Sequence, residues 1–378
     1  MFEVIQVKRI TISVINDLVT DQRIQRMIGT LQKEEVEILL IGRELPNSLP
    51  MQTSNYGYRR LKMLFRRGPL FYGFFNIRLF FILLFRKQQD LFISNDLDTL
   101  LANYLVSRIR KTPLLYDSHE YFTEVPELTN RRRTKKIWER IEQRILPRIK
   151  YAITVSDSIA STYNEKYGTP FSVIRNVSYS RKPLIDPAFH DRYSARYKVI
   201  YQGALNMGRG LELMIQSMKY ISDTMFIIVG DGDIRMDLQK LVQEMKLVDK
   251  VVFPGKLPPR TLHKITSNCD LGISMEEDLG LNYRMALPNK IFDYIQARIP
   301  VICSDLPEMR ALISSYEIGE VVDSRESNDI AAQIQAILKN EQRRKQWVNN
   351  LDNAAADLCW EKEEVKLLQM MKTIWQET

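Results

Sequence analysis

Lys290 and Asp293 stand three residues apart, just after Pro288 and Asn289, in the stretch Glu276 to Asp305. Residues three apart share a helix face, and a proline is tolerated at a helix start, where its missing N–H would have been unpaired anyway. A polar, glycine-containing loop from Glu276 to Gly280 precedes this helix, and Pro300-Val-Ile-Cys-Ser follows it as a short buried strand. A helix N-terminus directs unpaired N–H groups and the positive end of its dipole at an anion. Lys290 adds a full charge for phosphates and Asp293 a carboxylate for hydroxyls, the two groups that a nucleotide-sugar ligand requires. The competing reading is an ordinary surface helix carrying an i,i+3 ion pair.

A second set of groups lies upstream. Lys198 to Tyr201 reads as a strand that runs into Gln202-Gly-Ala-Leu-Asn-Met-Gly-Arg-Gly and then a helix from Leu211. Three glycines let backbone amides approach phosphates closely, and Arg209 can bind them in bidentate fashion. Val229-Gly-Asp-Gly ends another strand. In the first half, Leu114 to Tyr116 delivers Asp117-Ser-His-Glu, so His119 sits just beyond a strand, where parallel α/β folds place their sites.

The elements that must position these groups alternate along the whole chain. Strands at Ile10 to Ile15, Glu37 to Ile41, Leu91 to Ser94, Leu114 to Tyr116 and Tyr151 to Val155 alternate with helical patterns, among them Gln22 to Gln32 and Asn130 to Arg144. Ser156 is the expected N-cap of a helix that ends at Gly168. The pattern predicts an α/β protein of two parallel-sheet domains, 1–185 and 195–355. The polar segment Arg181 to Tyr197, with Pro183 and Pro187, is the expected linker. A last helix at about 360–378 is expected to pack back on the first domain. The first turn lacks a glycine-rich dinucleotide fingerprint, so nothing there indicates NAD or FAD.

At 378 residues the chain exceeds the size at which one core stops growing, in agreement with two domains. A formal charge of +8 favours anionic partners. Cys269, Cys303 and Cys359 are too far apart for a disulfide framework or a metal cluster, and they read as small buried hydrophobes in a reducing compartment. A signal peptide is not expected at the start, because Glu3, Lys8 and Arg9 interrupt the apolar run.

Between Glu44 and Asp90 there is no acidic residue. Arg59, Arg60, Lys62, Arg66 and Arg67 precede an apolar run from Leu70 to Phe85 that Arg86 and Lys87 close. The run is short for a bilayer span and has Arg78 at its middle. Two readings remain open: Arg59 to Phe85 as a basic, aromatic patch against an anionic membrane surface, or a core-facing helix of the first domain. The two are compatible if one side of the helix is buried. Nucleic acid is not an expected partner, since these arginines adjoin an aliphatic run rather than a stacking platform.

The order of Asp21-Gln-Arg23, Tyr116-Asp-Ser-His-Glu, Arg175-Asn-Val, Gly203 to Gly210, Val229-Gly-Asp-Gly, Phe253-Pro-Gly and Pro288-Asn-Lys-Ile-Phe-Asp resembles the GT-B glycosyltransferases, specifically the large retaining family four. The resemblance implies two Rossmann-like domains facing each other across a cleft, the second holding a nucleotide diphosphate sugar and the first the acceptor. It implies Arg209, Lys290 and His119 as catalytic residues and Gly203, Gly208, Gly230, Glu277, Asn289 and Asp293 as donor-binding ones. No metal or other cofactor is expected, because basic groups meet the diphosphate. The chain departs from the family at Ala204, where a basic residue is usual, at Met285, where a carboxylate is usual, and at Arg298, where a glycine is usual. The expected function is sugar transfer to a lipid-linked saccharide or glycan in cell-envelope or exopolysaccharide assembly, by a cytoplasmic protein peripheral on the inner face of the membrane. The rivals are a sugar-nucleotide epimerase and a catalytically silent nucleotide-sugar-binding or assembly protein.

Overall fold

The computed structural model describes residues 7–377, except 20, 47, 52–54, 66 and 130. Arg66 of the basic run, Asn130 of the charged helix and Glu3 therefore lie outside the described residues.

The chain forms two compact units, one of residues up to Asn176 together with Glu363 onward, the other Val177–Lys362. In the first unit the strands are β1 (Lys8–Asp17), β2 (Val36–Arg43), β3 (Gly57–Leu61), β4 (Leu91–Asn95), β5 (Leu114–Ser118), β6 (Tyr151–Thr154) and β7 (Phe171–Val173). They make one parallel sheet in the order β3-β2-β1-β4-β5-β6-β7. The central strands β4, β5 and β6 are buried throughout, which is why they read as continuous apolar runs rather than alternating ones. Ser156 caps the helix Asp157–Tyr167 by accepting from the Ile159 N–H, and Gly168 ends it in the left-handed conformation.

The second unit contains β8 (Tyr197–Gln202), β9 (Thr224–Val229), β10 (Val251–Gly255), β11 (Leu271–Ser274), β12 (Val301–Ser304) and β13 (Gly319–Val322). Their order is β10-β9-β8-β11-β12-β13, all parallel. The strand order reverses between β8 and β11. In open α/β sheets that switch point, at the carboxyl ends of the strands, is where a crevice opens for a ligand.

The structure corrects the sequence reading at four places. The basic segment contains an edge strand, β3, of which only Leu61 is buried. A helix, Asp96–Arg110, follows β4, and a short one, Leu281–Met285, interrupts the loop before Pro288. Residues 181–197 are no linker. The Arg181 N–H donates to Gln296 (2.9 Å), Asn268 joins Leu184 and Asp186 (2.7 and 3.0 Å), and Phe189 is fully buried, so the segment is stitched into the second unit. The chain leaves that unit in the helix Trp360–Gln376. Glu363 then accepts from the Arg175 N–H (3.0 Å) and Glu364 from the Thr30 hydroxyl (3.0 Å), which ties the chain's end to the first unit.

A candidate diphosphate site at the second sheet's switch point

The groups with chemistry in the second unit converge where β8 and β11 end. β8 leads through Gln202 to Gly203, whose φ of 138° is one that side chains rarely adopt. A Cβ at Gly230 would lie 1.8 Å from the Gly203 carbonyl oxygen, so the turns after β8 and β9 pack backbone on backbone. Gly208 carries a positive φ of 80° and accepts from the Glu277 N–H (2.9 Å), which joins this loop to the one after β11.

Glu276 is the hub. It is 1% exposed, and its carboxylate pairs with the Lys290 ammonium, accepts from the Ser274 hydroxyl (2.7 Å) and lies 3.6 Å from Arg209. Burial alone pushes its carboxyl upward, but Lys290, Ser274 and Arg209 outweigh it and hold it below the ordinary glutamate value. Lys290 is 8% exposed and lies 4.6 Å above the Tyr201 ring. Burial draws its ammonium downward while Glu276 opposes that shift. Two cations and one carboxylate leave the cluster with a net positive charge.

The helix Asn289–Ala297 begins beside it, with Pro288 in the N-cap position, one place earlier than a first helical residue. Pro288 supplies no side-chain cap, and with the Ile291 N–H turned back to the Pro288 carbonyl (3.1 Å) the N–H groups of Asn289 and Lys290 are the ones left at the N-terminus. Asn289 is exposed there, and half-buried Asp293 accepts from Gln202 Nε2 (2.9 Å), whose Oε1 is fixed by the Thr266 hydroxyl (2.7 Å). The surface-helix reading fails because Lys290 is buried against Glu276.

The structure thus gathers Gly203, Arg209, Lys290 and Asp293 around one point, with Gly208 and Gly230 shaping the loops. Glu277 is the exception among the expected donor residues. It joins the cluster through its backbone N–H, and its neighbour Glu276 supplies the inward carboxylate. Sequence reading also missed Arg325, which donates to the Glu276 carbonyl (2.8 Å) and the Ser304 hydroxyl (3.2 Å) and so pins the chain after β11. Nothing in its neighbours along the chain marks it.

His119 belongs to the first unit, beyond β5. Its Nδ1 lies 3.3 Å from Asp96 and its Nε2 3.2 Å from Asp117, the latter an ion pair rather than an aligned hydrogen bond. Asp117 is fully buried and bidentate with Arg23 (2.7 and 2.9 Å). Burial pushes the imidazole down, but the two carboxylates overcome it and raise its pKa from 6.5 to about 9. At neutral pH the ring is an imidazolium and has no free site to take a proton. Because the folded-state value is raised, its stabilisation is complete below pH 6.5 and is lost as pH rises through about 9, with a ceiling of roughly 3 kcal/mol. The check is the imidazole proton shift followed from pH 6 upward. A midpoint near the ordinary value would show that the carboxylates do not clamp the ring.

Comparison with known proteins agrees with this architecture. Residues 185–353 match the family model "Glycosyl transferases group 1" and residues 21–177 match "Glycosyltransferase Family 4". The alpha-D-kanosaminyltransferase of Streptomyces kanamyceticus is 23% identical over 65% of this chain and 67% of its own length. Among solved structures, sucrose-phosphate synthase from Thermosynechococcus elongatus superposes with a TM-score of 0.82 at 17% identity, over 98% of this chain and 100% of that one. HepE of Anabaena, solved with UDP-glucose, gives 0.73 at 14% identity, over 97% and 99%. With glycosyltransferase models matching both halves and this fold over nearly its whole length, the chain is a GT-B fold enzyme of the glycosyltransferase class.

Proposed function

We propose that the protein transfers a sugar from a nucleoside diphosphate sugar to a lipid-linked saccharide or glycan with retention of anomeric configuration. The observation that carries this reading is the Arg209–Glu276–Lys290 cluster at the switch point, beside an uncapped helix N-terminus and a positioned carboxylate. The diphosphate sits on Arg209, Lys290 and the first-turn N–H groups, while Asp293, oriented by Gln202, accepts from the ribose hydroxyls. As the bond from the anomeric carbon to the β-phosphate oxygen breaks, negative charge gathers on that phosphate. The two cations stabilise it there without reorganising, which is where fixed charge lowers a barrier most. Glu276 keeps both cations in place in the absence of ligand.

Calorimetric titration with UDP, GDP and ADP and their common sugar conjugates tests the site. One conjugate is expected to bind, and Lys290→Ala, checked to be folded by its unfolding midpoint, is expected to weaken it about a hundredfold, as loss of a charged phosphate contact does. Failure of all of them to bind the folded wild-type protein would end this reading.

A further inference from the structure

We infer that the helix Gly68–Leu84 and the edge strand β3 form a docking surface for an anionic lipid membrane, lying on it and not crossing it. Apart from Asn76 and Arg78 the helix is apolar, yet only one stripe, Phe71, Phe75, Leu79 and Leu83, is buried. A helix of that composition is normally covered on every side. Here the opposite stripe faces solvent: Leu70 is 66% exposed, Ile77 58%, Phe81 51% and Phe85 79%. Phe81 and Phe85 stack with their rings 6.2 Å apart and border a groove of about 460 Å³ that Tyr58 and Arg59 of β3 and Arg86 complete.

The segment that carries this stripe has charge of one sign. Arg59, Arg67, Arg86 and Lys87 are exposed, and no acidic residue occurs from Leu45 to Gln89. An aromatic and aliphatic row rimmed by arginines matches the boundary between acyl chains and anionic headgroups. A second copy of this face would set arginines against arginines, a costly arrangement that disfavours self-association here. Among the described residues, no helix is long and apolar enough to cross a membrane, in keeping with an interfacial position.

The surface is independent of the donor site, which is built from the other unit. The test is sedimentation of the full chain with vesicles of phosphatidylcholine alone and of phosphatidylcholine mixed in equal parts with phosphatidylglycerol. Binding is expected to the mixed vesicles only and to fall as salt is raised. Phe81→Asp with Phe85→Asp, at positions exposed enough to leave the fold intact, is expected to lower the partition coefficient about tenfold or more. Arg59→Glu with Arg86→Glu is expected to do the same and to remove the salt dependence. Nucleotide-sugar binding by each variant, measured in parallel, is expected to be unchanged, so failure of the surface and failure of the donor reading are told apart. Three results would each overturn the inference: no binding to mixed vesicles at low salt, undiminished binding by the Phe81/Phe85 variant, or a wild-type oligomer that this variant dissolves.

Discussion

A Glu276→Gln protein is expected to unfold about 3 kcal/mol more easily than the wild type in its second unit, the usual scale for removing one partner of a buried ion pair. The glutamine fills the same space and can still bond Ser274, so packing is spared and the effect is electrostatic. What remains is a Lys290 ammonium only 8% exposed with no counter-ion and Arg209 as a like charge beside it. A nucleoside diphosphate restores negative charge at this point. It is therefore expected to raise the urea midpoint of the variant more than that of the wild type, where Glu276 already balances part of the charge. Equal shifts in the two proteins would show that the diphosphate does not rest on these cations. This comparison also separates an anchoring carboxylate from one that touches the sugar, because a sugar contact would weaken the sugar conjugate more than the bare diphosphate.

Much of the fold was legible because parallel strands buried on both faces announce themselves as apolar runs. β4, β5, β6, β8, β9 and β11 are of this kind, and the site-bearing loops follow from their carboxyl ends. β3 was not legible, since an edge strand that buries only Leu61 carries arginines where a central strand carries valine. Residues 181–197 looked like a linker because prolines and polar side chains mark irregular backbone equally well whether it is free or stitched down by side-chain hydrogen bonds. In the site, Lys290, Asp293 and Arg209 were visible as charges near helix starts, whereas the pairing of Glu276 with Lys290 and Arg209 was not anticipated. Strand periodicity carried a signal for it. Side chains two apart share a face, so Ser274 and Glu276 point together, as their 2.7 Å hydrogen bond shows. Arg325 had no such signal, because its contacts with Glu276 and Ser304 arise only when the loop after β13 folds back over β11 and β12.

The other large effect is expected in the first unit from Arg23→Met. Arg23 is 2% exposed and spends every donor group in reach: two hydrogen bonds go to Asp117 and a third, of 2.8 Å, to the Ile174 carbonyl just after β7. Methionine keeps the apolar stem but leaves the fully buried Asp117 carboxylate facing His119 alone, at a cost of about 3–5 kcal/mol in urea unfolding. Asp117, now held low by Arg23 and His119 against the upward push of burial, loses the first of those two supports. The same substitution removes a positive neighbour from His119, whose midpoint is therefore expected to move above about 9. Adding Asp117→Asn takes away the stranded charge, so the double variant is expected to be more stable than the sum of the single losses predicts, with a coupling of about 2 kcal/mol or more. Additive losses would mean that Arg23 acts through packing and the Ile174 carbonyl rather than through Asp117. The imidazole midpoint distinguishes a purely structural arginine from one that sets the charge beyond β5, since only the latter shifts the titration of a ring it does not touch.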